Sequence, residues 1–146
     1  MPTIPGTMAV GTLLICMTVL IHIAGLVIVT QFVSKIRVRW ALHGQGGRVV
    51  AMVTVVLGLF ATAATEIWLW TLSYLWLGVS PDLETSLYLS TVTYSTVGYG
   101  DVVPAHGWRL LAALEGVAGF MMIGWSTAYL VTASTRVGPF RQGDHF

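Results

Sequence analysis

The sequence predicts an all-α membrane protein: three spanning helices, plus a shorter fourth segment that enters the bilayer and turns back. Three observations predict it. Of the 146 residues, 55% are hydrophobic and only 9% charged, with a mean hydropathy of +0.80; that is the composition of chains with long uncharged apolar runs. The apolar residues gather into three runs, 8–33, 49–77 and 108–133, each long enough to cross, since a spanning helix needs roughly 20 residues. Between the second and third lies an apolar stretch, 82–95, that is too short to span and leads into a glycine-containing loop. Cys16, the single cysteine, sits inside the first run, so the chain has neither an internal disulfide nor a cysteine metal cluster.

The first run lacks a basic start and a small-residue cleavage site, so it does not read as a signal peptide. Residues 34–48 follow, with Lys35, Arg37, Arg39 and Arg48 and no acidic residue. Gly44, Gln45, Gly46 and Gly47 give this segment the composition of a loop. Its basic charge assigns it to the cytoplasm, which puts the N-terminus outside. The spacing of two between Lys35, Arg37 and Arg39 is not the every-third-residue stripe of a voltage sensor. The second run then rises to the outer face, where Trp68, Trp70, Tyr74 and Trp76 match the aromatic belt of a bilayer interface. Gly78 ends it. Ser80 is read as a helix cap, with Pro81 at the first helical position. The short segment 82–95 must enter from outside, with Asp82, Glu84 and Asp101 on that face. The third run descends to the cytoplasm, where Arg136 and Arg141 follow it and Gly138-Pro139 stops the helix. The tail, 136–146, is too short for a ligand-binding domain.

Residues 96–101 read Thr-Val-Gly-Tyr-Gly-Asp. Gly98 and Gly100 lack a Cβ and take left-handed backbone angles at little cost, whereas Val97 and Tyr99 do not. Alternation between the two kinds of angle turns successive carbonyl oxygens to one side. Thr96 adds its hydroxyl below them. The product is a narrow column of oxygen dipoles, suited to a dehydrated monovalent cation. A lone Gly-x-Gly would be weak evidence; the six-residue string between two membrane runs is specific.

This string resembles the signature of the potassium channel family, and the resemblance extends over residues 49–133 to its two-helix members. It implies an outer helix, a re-entrant pore helix, a selectivity-filter loop and an inner helix within a pore domain, 49–135. Residues 1–48 then form an additional N-terminal helix and basic loop, and 136–146 a cytoplasmic tail. It further implies potassium bound at Thr96, Val97, Gly98 and Tyr99, with Gly100 completing the filter. Potassium is here a permeant ion, and no cofactor is implied. One filter motif per chain implies a homotetramer, because a four-fold oxygen column needs four copies. The family's orientation agrees with the one read from the basic residues. Gly119 and Gly124 fall where the family has a hinge glycine and a second small residue, although close helix packing also favours glycine. Val92 stands where the simplest bacterial members carry a glutamate behind the filter. Tyr88-Leu89 stands where many members have a tryptophan pair, and Tyr88 is placed to hydrogen-bond Asp101. Asp101, Tyr88 and Val92 are therefore the expected filter support. The first run lies outside the resemblance and is expected at the periphery.

Three ionisable residues, His22, Glu66 and Glu115, lie inside apolar runs, where a charge is expensive and needs a partner. At ~1.5 Å of rise per residue, His22 lies about 21 Å and Glu66 about 18 Å below the outer ends of their helices. Helices joined by a short loop are antiparallel neighbours, so the two are expected to meet. The rival arrangement turns Glu66 inward, toward the pore helix or Glu115. Glu115 lies about 12 Å down, level with the pore helix, where Thr91, Thr93 or Ser95 are its expected neighbours.

A potassium-selective channel is thus the leading reading. A weakly selective cation channel and a non-conducting membrane scaffold subunit are the alternatives. An enzyme is disfavoured: the histidines are scattered over separate segments, and Gly98-Tyr99-Gly100 is no dinucleotide fingerprint, since Val103 holds the third glycine position. The expected partners are further copies of the chain and the lipid bilayer of the cell membrane, with no nucleic acid and no small-molecule substrate.

Overall fold

The computed structural model describes residues 3–39 and 44–137, with side chains at 3–36 and 44–136. The predicted stop at Gly138-Pro139 and the basic residue Arg141 lie outside the described residues. Four α-helices follow one another: α1 (Ile4–Arg39), α2 (Gln45–Leu77), α3 (Leu83–Tyr94) and α4 (Arg109–Val137), the last entered through a 3₁₀ turn at His106–Trp108. Among the described residues there is no β-strand. Three segments are long and apolar enough to cross a membrane, Ile4–Ile36, Gln45–Leu77 and His106–Arg136. The chain is an integral membrane protein.

Three of the helix ends have a clear local cause. Thr3 opens α1, its hydroxyl accepting from the Gly6 N–H at 3.3 Å and its carbonyl from the Thr7 N–H at 2.9 Å. Gly78 closes α2 at φ 68°, with its own N–H on the Leu75 carbonyl and that of Val79 on the Tyr74 carbonyl. The cap of α3 is Asp82 rather than Ser80: its Oδ1 accepts from the Thr85 N–H and its Oδ2 from the Thr85 hydroxyl, both at 2.8 Å. Ser80 instead pairs with the Ser86 hydroxyl at 2.5 Å, so it ties the turn to the helix flank.

The helices also reach further into the basic segment than its composition suggests. α1 runs to Arg39 and α2 starts at Gln45. Residues 34–39 contain no Gly or Pro, so nothing stops the helix there; charge marks where the chain leaves the bilayer, not where helix ends. Gly46 and Gly47 fall in the first turn of α2, whose N–H groups lack intrahelical partners in any case.

α1, α2 and α4 pack lengthwise, and α3 fits between α2 and α4. The buried side of α2 repeats at 51, 55, 59, 62, 66, 70 and 74, and that of α1 at 14, 18, 22, 26, 29 and 33. This is the spacing of one helix face. Toward one end, Leu14, Trp70, Tyr74, Leu89 and Leu111 form an apolar cluster; toward the other, Leu26, Val29, Val33, Val55 and Leu59 form a second. Between them on α1 and α2, the same face carries Thr18, His22, Thr62 and Glu66, all buried. Small residues bring backbones close: Gly25 faces the Thr62 side chain and Gly58 that of Val29.

α1 is less peripheral than expected. Gly11 abuts Leu114 and Leu111 of α4, the Thr30 hydroxyl lies 2.7 Å from that of Tyr129, and the His22 ring lies 5.3 Å from that of Trp125. The helix therefore lies in the groove between α2 and α4, because its small and polar residues face both.

Candidate functional site

The loop 96–101 begins one residue past the end of α3. Its backbone alternates: Thr96, Gly98 and Gly100 have φ of 60°, 50° and 79°, while Val97 and Tyr99 stay outside the positive range. The two glycines take this conformation freely. Thr96 does not, since a left-handed angle costs an L-residue roughly 1–2 kcal/mol. The glycine pattern was readable in the sequence; the left-handed threonine was not, because only its surroundings impose it. The Thr96 N–H donates to the Thr93 carbonyl at 3.0 Å and that of Gly98 to the Val92 carbonyl at 3.0 Å, so the loop closes onto the last turn of α3. Val92 supports the loop through this carbonyl, with its side chain buried in the subunit.

On the other side of the loop, the Tyr88 hydroxyl donates to Asp101 Oδ2 at 2.7 Å, and Asp101 Oδ1 accepts from the Val102 N–H at 3.0 Å. The Tyr88 hydroxyl, above all, holds the Asp101 carboxyl below the usual carboxylate range. Val97 and Tyr99 are 52% and 74% exposed, so a single chain leaves at least half of each uncovered.

Beneath the loop lies a buried set of hydrogen bonds spanning all four helices. His22 Nδ1 lies 2.9 Å from Glu66 Oε1, and the Tyr94 hydroxyl donates to Glu66 Oε2. Both arrangements weighed for Glu66 therefore occur together, one on each carboxyl oxygen. Glu115 accepts from the Ser90 hydroxyl at 2.5 Å and from the Tyr74 hydroxyl. These partners replace the expected Thr91, Thr93 and Ser95. Ser86, Ser90 and Tyr94 lie at spacings of four on the buried face of α3, whereas the Thr91 and Ser95 hydroxyls turn back to the Leu87 and Thr91 carbonyls. Tyr74 and Trp70, read from the sequence as part of an interfacial aromatic belt, are instead fully buried, with the Tyr74 hydroxyl on Glu115 and the Trp70 N–H on Thr18. Tyr94 was not singled out, although it ends the same spacing of four as Ser86 and Ser90. His22 Nε2, also buried, has no hydrogen-bond partner among the described residues.

α4 is continuous through Gly119 and Gly124. At Gly119 it touches the C-terminal turn of α3: a Cβ added there would lie 2.1 Å from the Tyr94 carbonyl oxygen. At Gly124 an added Cβ would meet nothing within 4 Å.

This arrangement of two long helices flanking a short helix and loop coincides with a known domain. Residues 62–136, just over half of the chain, match the family described as Ion channel. The chain belongs to the ion channel family. Two curated relatives are Protein LctB of Bacillus caldotenax and Protein LctB of Geobacillus stearothermophilus. Each is 50% identical over 40 residues, covering 27% of this chain and 30% of the relative. The matched stretch thus spans less than a third of those proteins. No solved structure matches this chain. α1 and the first half of α2, up to residue 61, lie outside the family match.

Proposed function

We propose that the chain is one quarter of a potassium-selective channel, with residues 96–100 as its filter. The observation that carries this reading is the alternating backbone of Thr96–Val97–Gly98–Tyr99–Gly100 at the end of a short helix set between spanning helices. In four copies around an axis, such a backbone offers rings of carbonyl oxygens at Thr96, Val97, Gly98 and Tyr99, with the Thr96 hydroxyl below them. These oxygens replace the hydration shell of potassium, and neighbouring ions drive one another through by repulsion. The C-terminal end of α3 adds partial negative charge toward the ion path. The uncovered Val97 and Tyr99 support a tetramer, since neighbouring copies supply the packing that one chain lacks. α3 enters from the outer face, the N-terminus lies outside, and the C-terminus lies in the cytoplasm of a cell whose plasma membrane holds the channel. In that frame Gly119 and Gly124 are the hinge candidates of the inner helix.

The test is ion flux through the purified protein in liposomes, with native mass spectrometry from mild detergent. A tetramer that passes potassium in large excess over sodium is expected. Gly100→Ala places a Cβ at φ 79° and should abolish the preference or the conductance while the tetramer persists. Equal permeability to potassium and sodium in the wild type would overturn selectivity. No flux at all would leave a scaffold subunit.

A further inference from the structure

We infer that His22 of α1 is a positioning residue for the filter, acting through Glu66 on Tyr94. The inference rests on the reading of residues 96–100 as a filter, and extends it to a helix outside the family match. Tyr94 is the last residue of α3 and stands two residues before Thr96. Its hydroxyl is held by Glu66 Oε2, and its backbone carbonyl by close contact with Gly119. The other Glu66 oxygen is held by His22 Nδ1 at 2.9 Å. His22 and Glu66 are both fully buried, so water cannot substitute for either partner.

A carboxyl gripped at one oxygen can still swing about its terminal bond; one gripped at both, from two different helices, cannot. His22 therefore fixes the plane in which Glu66 meets Tyr94. That contact sits at the last turn of α3, whose Val92 and Thr93 carbonyls accept the N–H groups of Gly98 and Thr96. The rest of α3 has its own anchor, Ser90 on Glu115 and on the Ile67 carbonyl. Loosening His22 should consequently disturb residues 94–98 and leave the helix in place. A second contact between the same two helices serves as a control: Trp70 Nε1–H donates to the Thr18 hydroxyl at 3.0 Å, one turn along α1, and touches no group of the filter.

The experiment compares His22→Leu, His22→Asn, Tyr94→Phe and Thr18→Val in the full chain. The asparagine amide stands near the position of Nδ1 and restores the grip. Two readouts are taken: amide hydrogen exchange over residues 92–98, and the potassium-to-sodium permeability ratio in liposomes. In His22→Leu, exchange should rise about tenfold, the weight of roughly one hydrogen bond, and the permeability ratio should fall severalfold. His22→Asn should stay near wild type. Thr18→Val should lower the melting temperature and move neither readout. Tyr94→Phe cuts the same chain at its other end, and decides the matter if His22→Leu does not fold. Unchanged exchange in folded His22→Leu, or in Tyr94→Phe, overturns the inference. So does an equal response to Thr18→Val, which would make α1 mere packing. If the wild type passes no potassium, the filter reading fails by that result alone, and hydrogen exchange still decides whether His22 governs residues 94–98.

Discussion

Replacing Gly119 by alanine tests whether this glycine is a seat for α3 or a free joint in α4. An added Cβ would lie 2.1 Å from the Tyr94 carbonyl oxygen and 2.8 Å from its carbonyl carbon and Cα. Carbon–oxygen contacts settle at about 3.3 Å or more, so the two backbones must part by roughly 1 Å. Neither side has a flexible side chain to move aside, and Tyr94 is pinned through its hydroxyl by Glu66. Forced overpacking typically costs ~1–3 kcal/mol, and rigid backbone on both sides puts this case at the upper end. Alanine returns ~1 kcal/mol as a better helix former. The net expectation is a loss of about 2 kcal/mol, the overpacking cost less the propensity gain. Gly124→Ala is the contrast: its Cβ meets nothing within 4 Å, so in the subunit only the propensity gain of ~1 kcal/mol remains. Reversible unfolding in mixed micelles, followed by helical circular dichroism, reads both. A Gly119→Ala protein as stable as wild type would refute the packing, and would return Gly119 to the role of an unencumbered hinge.

Other substitutions probe the remaining contacts. Glu115→Leu should leave the Tyr74 hydroxyl buried without a partner, since only Ser90 has a second acceptor in the Ile67 carbonyl; a loss of roughly 1–3 kcal/mol follows. Glu115→Gln keeps an acceptor and should lose less, and the reverse order in the unfolding assay would contradict the assigned bonds. At the end of the loop, the Tyr88 hydroxyl depresses the Asp101 pKa, so this contact stabilises fully above the ordinary carboxylate pKa of about 3.9 and is lost as pH falls through the depressed value. Tyr88→Phe should therefore move the Asp101 titration, read by carboxyl carbon-13 NMR, upward toward the ordinary range, and an unmoved midpoint would remove Tyr88 as its cause. Gly25→Ala should weaken the α1–α2 pairing, because its Cβ would fall 2.3 Å from the Thr62 hydroxyl oxygen; unaltered stability would show that Thr62 turns aside without cost.

How much of this was legible follows from what each signal depends on. Apolar runs and glycine spacing are properties of single segments, and they led to the three long helices, the short α3 and the alternating loop. Depth along a helix is also a one-dimensional quantity, which is why His22 and Glu66 could be matched in level. Rotation about a helix axis is not, and there the reading of Glu115 chose Thr91, Thr93 and Ser95 over Ser90. The spacing of four through Ser86, Ser90 and Tyr94 carried the correct face, but hydroxyl residues at 85, 91 and 93 give α3 polar groups on other faces as well, so its polarity alone does not select one. Asp82 outcompeted Ser80 as a cap for a similar reason: both types suit the position, and only the start of α3 at Leu83 decides between them. Thr96 at φ 60° was illegible, because its conformation is imposed by closure of the loop onto the Val92 and Thr93 carbonyls.

The buried polar face of α3 follows from the solvent that surrounds these helices. In water, a 12-residue helix is held chiefly by burying an apolar stripe. Between helices that cross a bilayer, such as α2 and α4, that driving force is nearly absent, since lipid tails are as apolar as leucine. What remains is close packing and hydrogen bonding between helices, and α3 uses both: Gly119 against its last carbonyl, and hydroxyls of Ser90 and Tyr94 on carboxyl groups from α4 and α2. Those hydroxyls need acceptors that stay fixed, so Glu115 and Glu66 each carry a second partner, Tyr74 and His22. The two carboxyls differ in one respect. The second partner of Glu115 comes from α2, inside the family match, whereas that of Glu66 comes from α1, outside it. The added helix thus reaches the base of the loop by completing a hydrogen-bond set, without itself approaching residues 96–101 in sequence or supplying any residue to them.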